Sequence, residues 1–218
     1  VMEEQENLYL KQQEVVDISV EDGEATGVAT KLGAVYYEKK IIIATGTFLK
    51  ATIHVGDVHY DCGPDGLQAA IGLSEALCKN GVDIKRFKTG TPARVHKRSI
   101  NYDEVEVQKG DEEIEPMSFT TTKELKNQVD CYITYTNLET HKVILDNITR
   151  SAMYSGNIEG TGTRYCPSIE DKIVRFADKD HHQAFIEPCG LDTQEIYLQG
   201  LSSSLPQDVQ VAFYQTMD

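Results

Sequence analysis

Residues 155–178 read SGNIEGTGTRYCPSIEDKIVRFAD, a glycine-bearing loop that runs into a segment with helical character. Cys166 stands between the two parts and is followed at once by a proline, a serine and two acidic residues. Proline and acidic residues are favoured in the first turn of a helix, where they suit the backbone and its partial positive charge. The pattern predicts a helix that begins within one or two residues of Cys166.

Three interpretations of Cys166 remain open from this pattern. The unpaired N–H groups of a helix start favour anions, so they can stabilise a reactive thiolate, helped by Arg164 two residues away. The same groups can receive the phosphate of a dinucleotide. Cys166 can also be a buried, inert residue beside the helix. The three glycines of the loop do not have the GxGxxG spacing, so the spacing by itself is weak support for a phosphate loop.

The first third of the chain predicts a β-meander followed by a helix. Strand-like runs occupy residues 8–20, 25–32, 34–38 and 39–45, with turn signals at Asp22-Gly23 and Gly33. The apolar run 41–44 is typical of a strand covered on both faces. Residues 66–79 have helical spacing and end at Asn80-Gly81, which predicts a helix with Cys78 packed in the core.

Near residue 88 the sequence changes to a segment with glycine and proline, KTGTPAR, followed by a polar acidic stretch. This change of composition predicts a domain boundary, with one domain over 1–87 and another over 88–218. Beyond it, strands are predicted at 129–137, 182–188 and 194–200, and helices at 139–150, at 168–177 and after residue 204. The predicted fold class is therefore mixed α/β.

Composition limits the class of protein. The chain has 218 residues and a net charge of −14, and it contains no apolar run of the roughly 20 residues that span a bilayer. Five cysteines without a CxxC pair indicate a reducing, cytosolic setting. The acidic balance disfavours general nucleic-acid binding, although residues 85–98 are locally basic. That stretch is either a solvated face or a contact for an anion or tRNA.

His181 and His182, near Asp178 and Asp180, raise the possibility of a metal site or an acid/base pair. Adjacent histidines point apart on a strand, so a solvated turn is the other interpretation. The sequence predicts no metal site.

Six motifs together carry a resemblance that no local pattern supplies. They are ATGTFL (44–49), IHVG (53–56), FKTGTPAR (87–94), CYITYTN (131–137), MYSGNIEGTGTRYCPSIEDKIVRFAD (153–178) and HQAFIEPCGLDTQEIYLQGLSSSLPQDVQ (182–210). In this order the chain resembles an internal part of the glucose-inhibited division protein A family. Members of that family are FAD-dependent enzymes that install the carboxymethylaminomethyl group on the wobble uridine of tRNA.

The resemblance implies an architecture and a set of partners. Residues 1–87 would be the tail of an FAD-binding domain of the type with two dinucleotide-binding domains, and residues 88–218 an inserted α/β domain for NADH and substrate. The full enzyme would use FAD, NADH and a folate one-carbon donor, act on tRNA with a GTPase partner, and form a homodimer. The glycine-rich FAD fingerprint is not in this sequence, so we expect weak or absent FAD binding by the chain alone.

The resemblance also implies site residues. Cys166 would be the functional thiol, used in nucleophilic or redox chemistry. The expected FAD contacts are Val15, Thr45, Gly46, Thr47 and Ala70. The expected NAD contacts form one stretch: Gly162, Thr163, Arg164, Tyr165, Cys166, Pro167, Ser168, Ile169, Glu170, Asp171, Lys172, Ile173, Val174, Arg175 and Phe176.

One loop departs from the family pattern. This chain has Tyr60-Asp61-Cys62-Gly63-Pro64-Asp65-Gly66 where relatives have a sequence with an arginine. The departure weakens any cofactor contact in this loop or at Ala70. Cys62 is either an idle loop thiol or a second thiol near the flavin.

Two alternative functions remain. The chain could be a non-catalytic module that binds a dinucleotide or RNA through residues 85–98. The related folate-dependent tRNA uridine-5-methyltransferase also shares flavin and folate, but RYCPSIEDK and its downstream match favour the first family.

Overall fold

The computed structural model describes residues 2–158, 160–162 and 166–217, with only the backbone of 161 and 162. Within these residues the chain divides into two compact units. The first contains residues 1–53 and 59–85, and the second contains residues 54–58 and 86–218. The mixed α/β class predicted from the sequence is confirmed.

The first unit is built on an antiparallel meander of β1 (Val15–Glu21), β2 (Glu24–Thr30) and β3 (Val35–Tyr37). Asp22 and Gly23 both have positive φ, as a two-residue hairpin turn requires. The meander predicted from the sequence is confirmed for these three strands, except that β1 begins at Val15 and not at residue 8 as predicted.

The prediction of a fourth, fully covered strand at 41–44 is wrong. Residues 40–45 have no regular structure, and the Ile42 side chain is 91% exposed. A strand is held by hydrogen bonds to a neighbour, and no described strand pairs with this run. Its apolar composition alone therefore does not make it a strand.

A hairpin of β4 (Thr52–Val55) and β5 (Val58–Asp61) follows. Its turn, residues 54–58, is grouped with the second unit. There the Gly56 amide donates to the Ser204 carbonyl at 2.8 Å. Gly56 has φ +58, and a Cβ at this position would lie 2.5 Å from the Pro206 ring, so only glycine fits without movement.

Helix α1 (Gly72–Lys79) completes the first unit. It begins six residues later than predicted, because Ala70 instead forms a parallel bridge with Leu49. The predicted end is confirmed: Asn80 caps the helix and Gly81 has positive φ. The prediction for Cys78 is wrong, since its side chain is exposed.

The second unit contains the short strands β6 (Phe87–Lys88), β7 (Arg94–His96), β8 (Glu106–Gln108), β9 (Cys131–Tyr135), β10 (Thr161–Gly162), β11 (Gln183–Pro188) and β12 (Glu195–Gln199), and the helices α2 (Leu138–Asp146), α3 (Ile169–Arg175) and α4 (Gln207–Tyr214). β6 and β10 form a parallel pair. The other strands form one antiparallel sheet in the order β7-β12-β11-β9-β8. These helices and strands confirm the elements predicted downstream of residue 130.

One hydrophobic core holds the second unit together. Alternate residues of β11 and β12 are buried, so one face of the sheet is apolar. Buried side chains of the three helices and of the segment before α4 pack with those of β11 and β12, and the core they form consists of Ile144, Ile169, Ile173, Ala184, Ile186, Ile196, Leu198, Leu201, Leu205, Val209 and Phe213. This packing fixes α3, and with it the position of the residues around Cys166.

Candidate active site around Cys166

Cys166 lies in the segment that leads into α3, and its side chain is half-buried. The thiol donates to the carbonyl oxygen of Gly90 at 3.8 Å, and its sulfur lies 3.7 Å from Thr89 Oγ1. A Cβ on Gly90 would lie 2.8 Å from Ser202 Cβ, so the backbone here approaches its neighbour closely. Two segments distant in the sequence therefore meet at the thiol.

The predicted position of the helix start is corrected. Ser168 is the N-cap and its hydroxyl accepts from the Asp171 amide, so Cys166 and Pro167 both precede the helix. The Ile169 amide donates to the Ser202 carbonyl at 2.7 Å. Because these amides are already bonded inside the protein, they do not form an open cradle for a thiolate or a phosphate.

Lys172, in the second turn of α3, brings a positive charge into this region. Its Nζ donates to the Gly200 carbonyl at 2.8 Å. Burial lowers the pKa of Lys172, and the electrostatic interaction with Cys166 opposes that effect. A half-buried ammonium group thus lies within electrostatic reach of the candidate thiol.

Asp171 is the centre of a second polar group. Its carboxylate lies 3.7 Å from Lys88 Nζ and 3.6 Å from an Arg175 nitrogen, and it accepts from the Tyr154 hydroxyl at 3.4 Å. Burial, and then the Asp171 charge, raise the pKa of Tyr154. The carboxylate is therefore occupied in joining α3 to its neighbours.

Glu170 is fully buried. Its Oε1 accepts from the Ser151 hydroxyl at 3.0 Å and from the Ser204 amide at 3.0 Å. Its Oε2 is buried and has no hydrogen-bond partner within the described part of the chain. The carboxylate therefore connects three segments: α3, the segment after α2 that contains Ser151, and the loop before α4 that contains Ser204.

The side chains of the expected NAD stretch differ in their exposure, so a ligand could contact only some of them. Ile169 and Ile173 are in the core, at 0% and 2% exposure, whereas Val174 and Phe176 are about half exposed. Thr163, Arg164 and Tyr165 lie outside the described residues. The assignment of the whole stretch stays a prediction.

The expected FAD contacts all lie in the first unit. Val15 is half-buried at the start of β1, and Thr45 is half-buried beside the exposed Gly46 and Thr47. Gly46 has φ +53, and a Cβ there would meet no atom within 4 Å, so its backbone is approachable. Both backbone groups of Ala70 are bonded, to Phe48 and Lys50, so only its side chain is available.

In the loop that departs from the family pattern, Cys62 is half-buried. Its thiol donates to the Leu67 carbonyl at 3.3 Å. Asp65 has φ +55, an unusual conformation for a residue with a side chain. This contact gives Cys62 a local structural use, and its relation to a flavin stays a prediction.

The two adjacent histidines are in different environments. His181 is exposed, whereas the His182 ring lies 5.3 Å from the His141 ring. His141 Nε2 lies 2.8 Å from Thr136 Oγ1. Burial lowers the pKa of His141 and of His182. No group of three or more metal-ligating side chains occurs in the ranges that the structure describes.

The basic stretch is not a continuous free surface. Lys85 lies 3.2 Å from Asp83, Lys88 faces Asp171, and Arg94 stacks over the Tyr197 ring at 4.9 Å. The interpretation as a solvated basic face fails for Lys88, which is 17% exposed. Lys97 and Arg98 are exposed and form no ion pair with another described residue.

Sequence reasoning missed Thr89, Gly90 and Gly200 as neighbours of the site. The motif KTGTPAR contained the available signal, because glycine beside proline marks backbone that takes a special path. Nothing in the local pattern indicated that this path leads to Cys166.

These features define a mixed α/β protein whose second unit positions a thiol, an ammonium group and two buried carboxylates at the start of one helix. The sequence profile of the family described as Glucose inhibited division protein A matches residues 1–218. The chain belongs to this family.

Named relatives agree with that assignment. The chain is 54% identical over 217 residues to the protein called tRNA uridine 5-carboxymethylaminomethyl modification enzyme MnmG of Clostridium botulinum (strain Okra / Type B1). It is 53% identical over 217 residues to the protein of that name from Caldicellulosiruptor saccharolyticus. All of the chain is covered in both comparisons, but only 35% of each relative. The chain thus spans about a third of the length of these relatives.

A solved structure gives the same result. Aquifex aeolicus GidA in its form I crystal matches with a TM-score of 0.89 and 48% identity, over 100% of this chain and 37% of that one. The form II crystal matches with a TM-score of 0.87 and 45% identity, over 99% and 35%. Among the described residues, no helix has the length and apolar character needed to cross a membrane.

Proposed function

We propose that this chain forms the middle of a cytoplasmic, FAD-dependent enzyme that adds the carboxymethylaminomethyl group to C5 of the wobble uridine of tRNA. The observation that carries the proposal is the match of the whole chain to relatives named for this modification. The full-length protein would use NADH and a folate one-carbon donor, and would act with a GTPase partner as a homodimer. In this enzyme Cys166 is the functional thiol.

The first unit suits part of an FAD site. The open surroundings and positive φ of Gly46 allow a ligand to approach the backbone, with Thr45 and Thr47 beside it. Val15 and Ala70 would add apolar contact. The flavin supplies redox chemistry when bound, and the protein supplies its position. Because the glycine-rich fingerprint is absent from these residues, we expect the purified chain to show no flavin absorbance, and a stoichiometric yellow protein would contradict this.

The second unit suits NADH only through part of the expected stretch. The exposed side chains Val174 and Phe176 can contact a ligand, whereas Ile169 and Ile173 serve the core. Calorimetric titration with NADH tests this site, comparing the wild-type chain with Arg164→Ala and with the control Lys179→Ala. Saturable binding that only the first substitution weakens supports the site. Equal binding in all three proteins would contradict it.

The same chain offers Cys166 for chemistry on the substrate. Its half-buried side chain lies among polar groups, and the nearby core holds the surrounding backbone in place. Such a thiol can act as a nucleophile or as a redox group. The site therefore combines a reactive side chain with a rigid support, as catalysis requires.

A chimera tests the function directly. The 217 aligned residues of the Clostridium botulinum relative are replaced by this chain, and the gene is expressed in cells that lack the modification. Mass spectrometry of tRNA nucleosides should then detect 5-carboxymethylaminomethyluridine. We expect Cys166→Ser to remove it, and the exposed Cys189→Ser to retain it. A folded, flavin-containing chimera that makes no modified uridine would refute the proposal.

The alternative function, RNA binding through residues 85–98, has less support. The side chains of Lys85, Lys88 and Arg94 in this stretch are engaged with acidic or aromatic neighbours. Lys97 and Arg98 remain as candidate phosphate contacts. A double substitution Lys97→Glu/Arg98→Glu that weakens tRNA binding and leaves NADH binding unchanged would favour this alternative.

A further inference from the structure

We propose that Lys88 is a positioning residue for Cys166, because its ammonium group ties the backbone at Thr89 and Gly90 to helix α3. These are the two segments that meet at the thiol. The inference rests on the proposed function of Cys166 as the functional thiol. It goes beyond that function by giving a role to Lys88, which is not among the residues expected to contact FAD or NAD.

The Lys88 backbone leads directly to the contacts of the thiol. Lys88 is the last residue of β6, and Thr89 and Gly90 follow it. Thr89 Oγ1 lies 3.7 Å from the Cys166 sulfur, and the Gly90 carbonyl accepts from the thiol at 3.8 Å. The position of Lys88 therefore determines where both contacts are made.

The Lys88 side chain contacts the other of the two segments. Its Nζ lies 3.7 Å from Asp171 Oδ2, in the first turn of α3, and donates to Met153 Sδ at 3.0 Å. Both partners of the ion pair are largely buried, with side-chain exposures of 17% and 12%. Salt and solvent screen such a pair less than a surface pair, so it can hold two segments together.

The cap of α3 completes the connection between the ion pair and the thiol. The Asp171 amide donates to the Ser168 hydroxyl, and Ser168 lies two residues after Cys166. The thiol is thus connected to Lys88 on one side through Gly90, and on the other side through the helix cap and Asp171. Removing the ammonium group would break this connection at the ion pair and free the end of β6 to move away from α3.

The other partners of these groups do not replace the ion pair. Arg175 lies on the same helix as Asp171, so its contact with that carboxylate at 3.6 Å cannot tie α3 to β6. The Tyr154 hydroxyl donates to Asp171 at 3.4 Å from a third segment. The parallel pairing of β6 with β10 joins Lys88 to Gly162 and not to α3.

Alkylation of the whole chain with iodoacetamide tests the proposal, with labelling of Cys166 followed by peptide mass spectrometry. Lys88→Met keeps a long side chain and removes its charge. We expect it to speed labelling about tenfold, equivalent to about 1.4 kcal/mol in the free energy of local opening. Loss of a positive charge near a thiol disfavours the thiolate and would by itself slow labelling, so a faster reaction reports release of the thiol from its contacts.

Matched variants separate the ion pair from other effects. Lys88→Arg should stay within about threefold of wild type, because its guanidinium can still pair with Asp171. The control Lys142→Met removes an exposed lysine from an ion pair on α2 and should change nothing. The exposed Cys78 serves as the internal reference for reagent, and Cys131 in β9 reports loosening of the whole unit.

A double substitution tests whether Lys88 acts through Asp171. Asp171→Asn alone should also speed labelling of Cys166. Adding Lys88→Met to it should change the rate by less than about twofold, because the two groups form one pair. Effects that multiply in the double variant would contradict this route and overturn the proposal.

Other outcomes would overturn it as well. They are unchanged or slower labelling of Cys166 in Lys88→Met, failure of Lys88→Arg to restore the wild-type rate, and labelling of Cys131 that rises in parallel. If Lys88→Met does not fold, Lys88→Gln, which keeps a polar end, is measured in its place with the same expectations.

The labelling result is independent of the test on tRNA. If labelling depends on Lys88 but the chimera makes no modified uridine, the proposed function fails while the ion pair still positions the thiol. If the uridine is modified and labelling ignores Lys88, the positioning role fails by itself.

Discussion

Removing the Glu170 carboxylate should loosen the loop before α4. The carboxylate is fully buried and accepts from the Ser151 hydroxyl and from the Ser204 amide and hydroxyl. Hydrogen bonds to a charged group contribute about 1.5–3 kcal/mol each. Glu170→Ala also leaves buried donors without an acceptor, so we expect a loss of about 3–5 kcal/mol in the free energy of unfolding.

Glu170→Gln should cost less, because its amide oxygen can still accept from both serines. The bonds lose their charged acceptor, and we expect a loss of about 1–2 kcal/mol. Glu106→Ala, on the exposed edge strand β8, is the control and should stay within about 0.5 kcal/mol of wild type.

Urea unfolding followed by circular dichroism gives the three free energies. Hydrogen exchange of residues 203–205 supplies a local measurement, since the Ser204 amide should lose its protection in Glu170→Ala before the rest of α4 does. If the alanine variant is no less stable than the glutamine variant, or if the Ser204 amide stays protected, Glu170 does not hold this loop.

Three further perturbations have expected outcomes. Gly56→Ala should lower the free energy of unfolding by about 2–4 kcal/mol, because alanine is strained at this positive φ and its Cβ would clash with Pro206. Gly156→Ala is strained only by its positive φ and should lower it by about 1 kcal/mol; thermal unfolding measures both losses. Because burial lowers the pKa of His141, the unfolded state binds the proton more readily, and stability should fall as the pH drops below about 6.5; His141→Gln should reduce this slope in urea titrations, and His181→Gln should not. Asn137→Ala removes the capping box of α2 and should cost about 1–2 kcal/mol by urea unfolding, a loss that an unchanged midpoint would disprove.

The sequence predicted correctly those elements that depend on interactions between residues close together in the chain. The turn at Asp22-Gly23 and the alternation around it are contained in a few residues, so β1 and β2 followed from the sequence. The run 41–44 looked like a strand, but strand formation depends on a partner that its own composition does not specify. Helix α1 began late for a similar reason, because Ala70 was drawn into a bridge with a residue 21 positions away.

The candidate site likewise combines features that local sequence predicts with contacts between residues far apart in the chain. The position of Cys166 before a capped helix was visible in the sequence, to within two residues of the true helix start. Its acceptor Gly90 is 76 residues away, and the acceptor of Lys172 is 28 residues away. Such contacts depend on how the sheet and helices pack, and periodicity contains no information about them.

The turn at residues 54–58 has a practical consequence for handling this protein. The chain passes between the two units at 53/54, at 58/59 and at 85/86. A gene that starts at Arg86 would therefore encode a second unit without residues 54–58. In that protein the Ser204 carbonyl would lack its hydrogen bond from the Gly56 amide, and the Pro206 ring would lack its contact with Gly56. The second unit is not one continuous piece of sequence, and expressing it separately would require these five residues to be spliced back or the exposed surface to be redesigned.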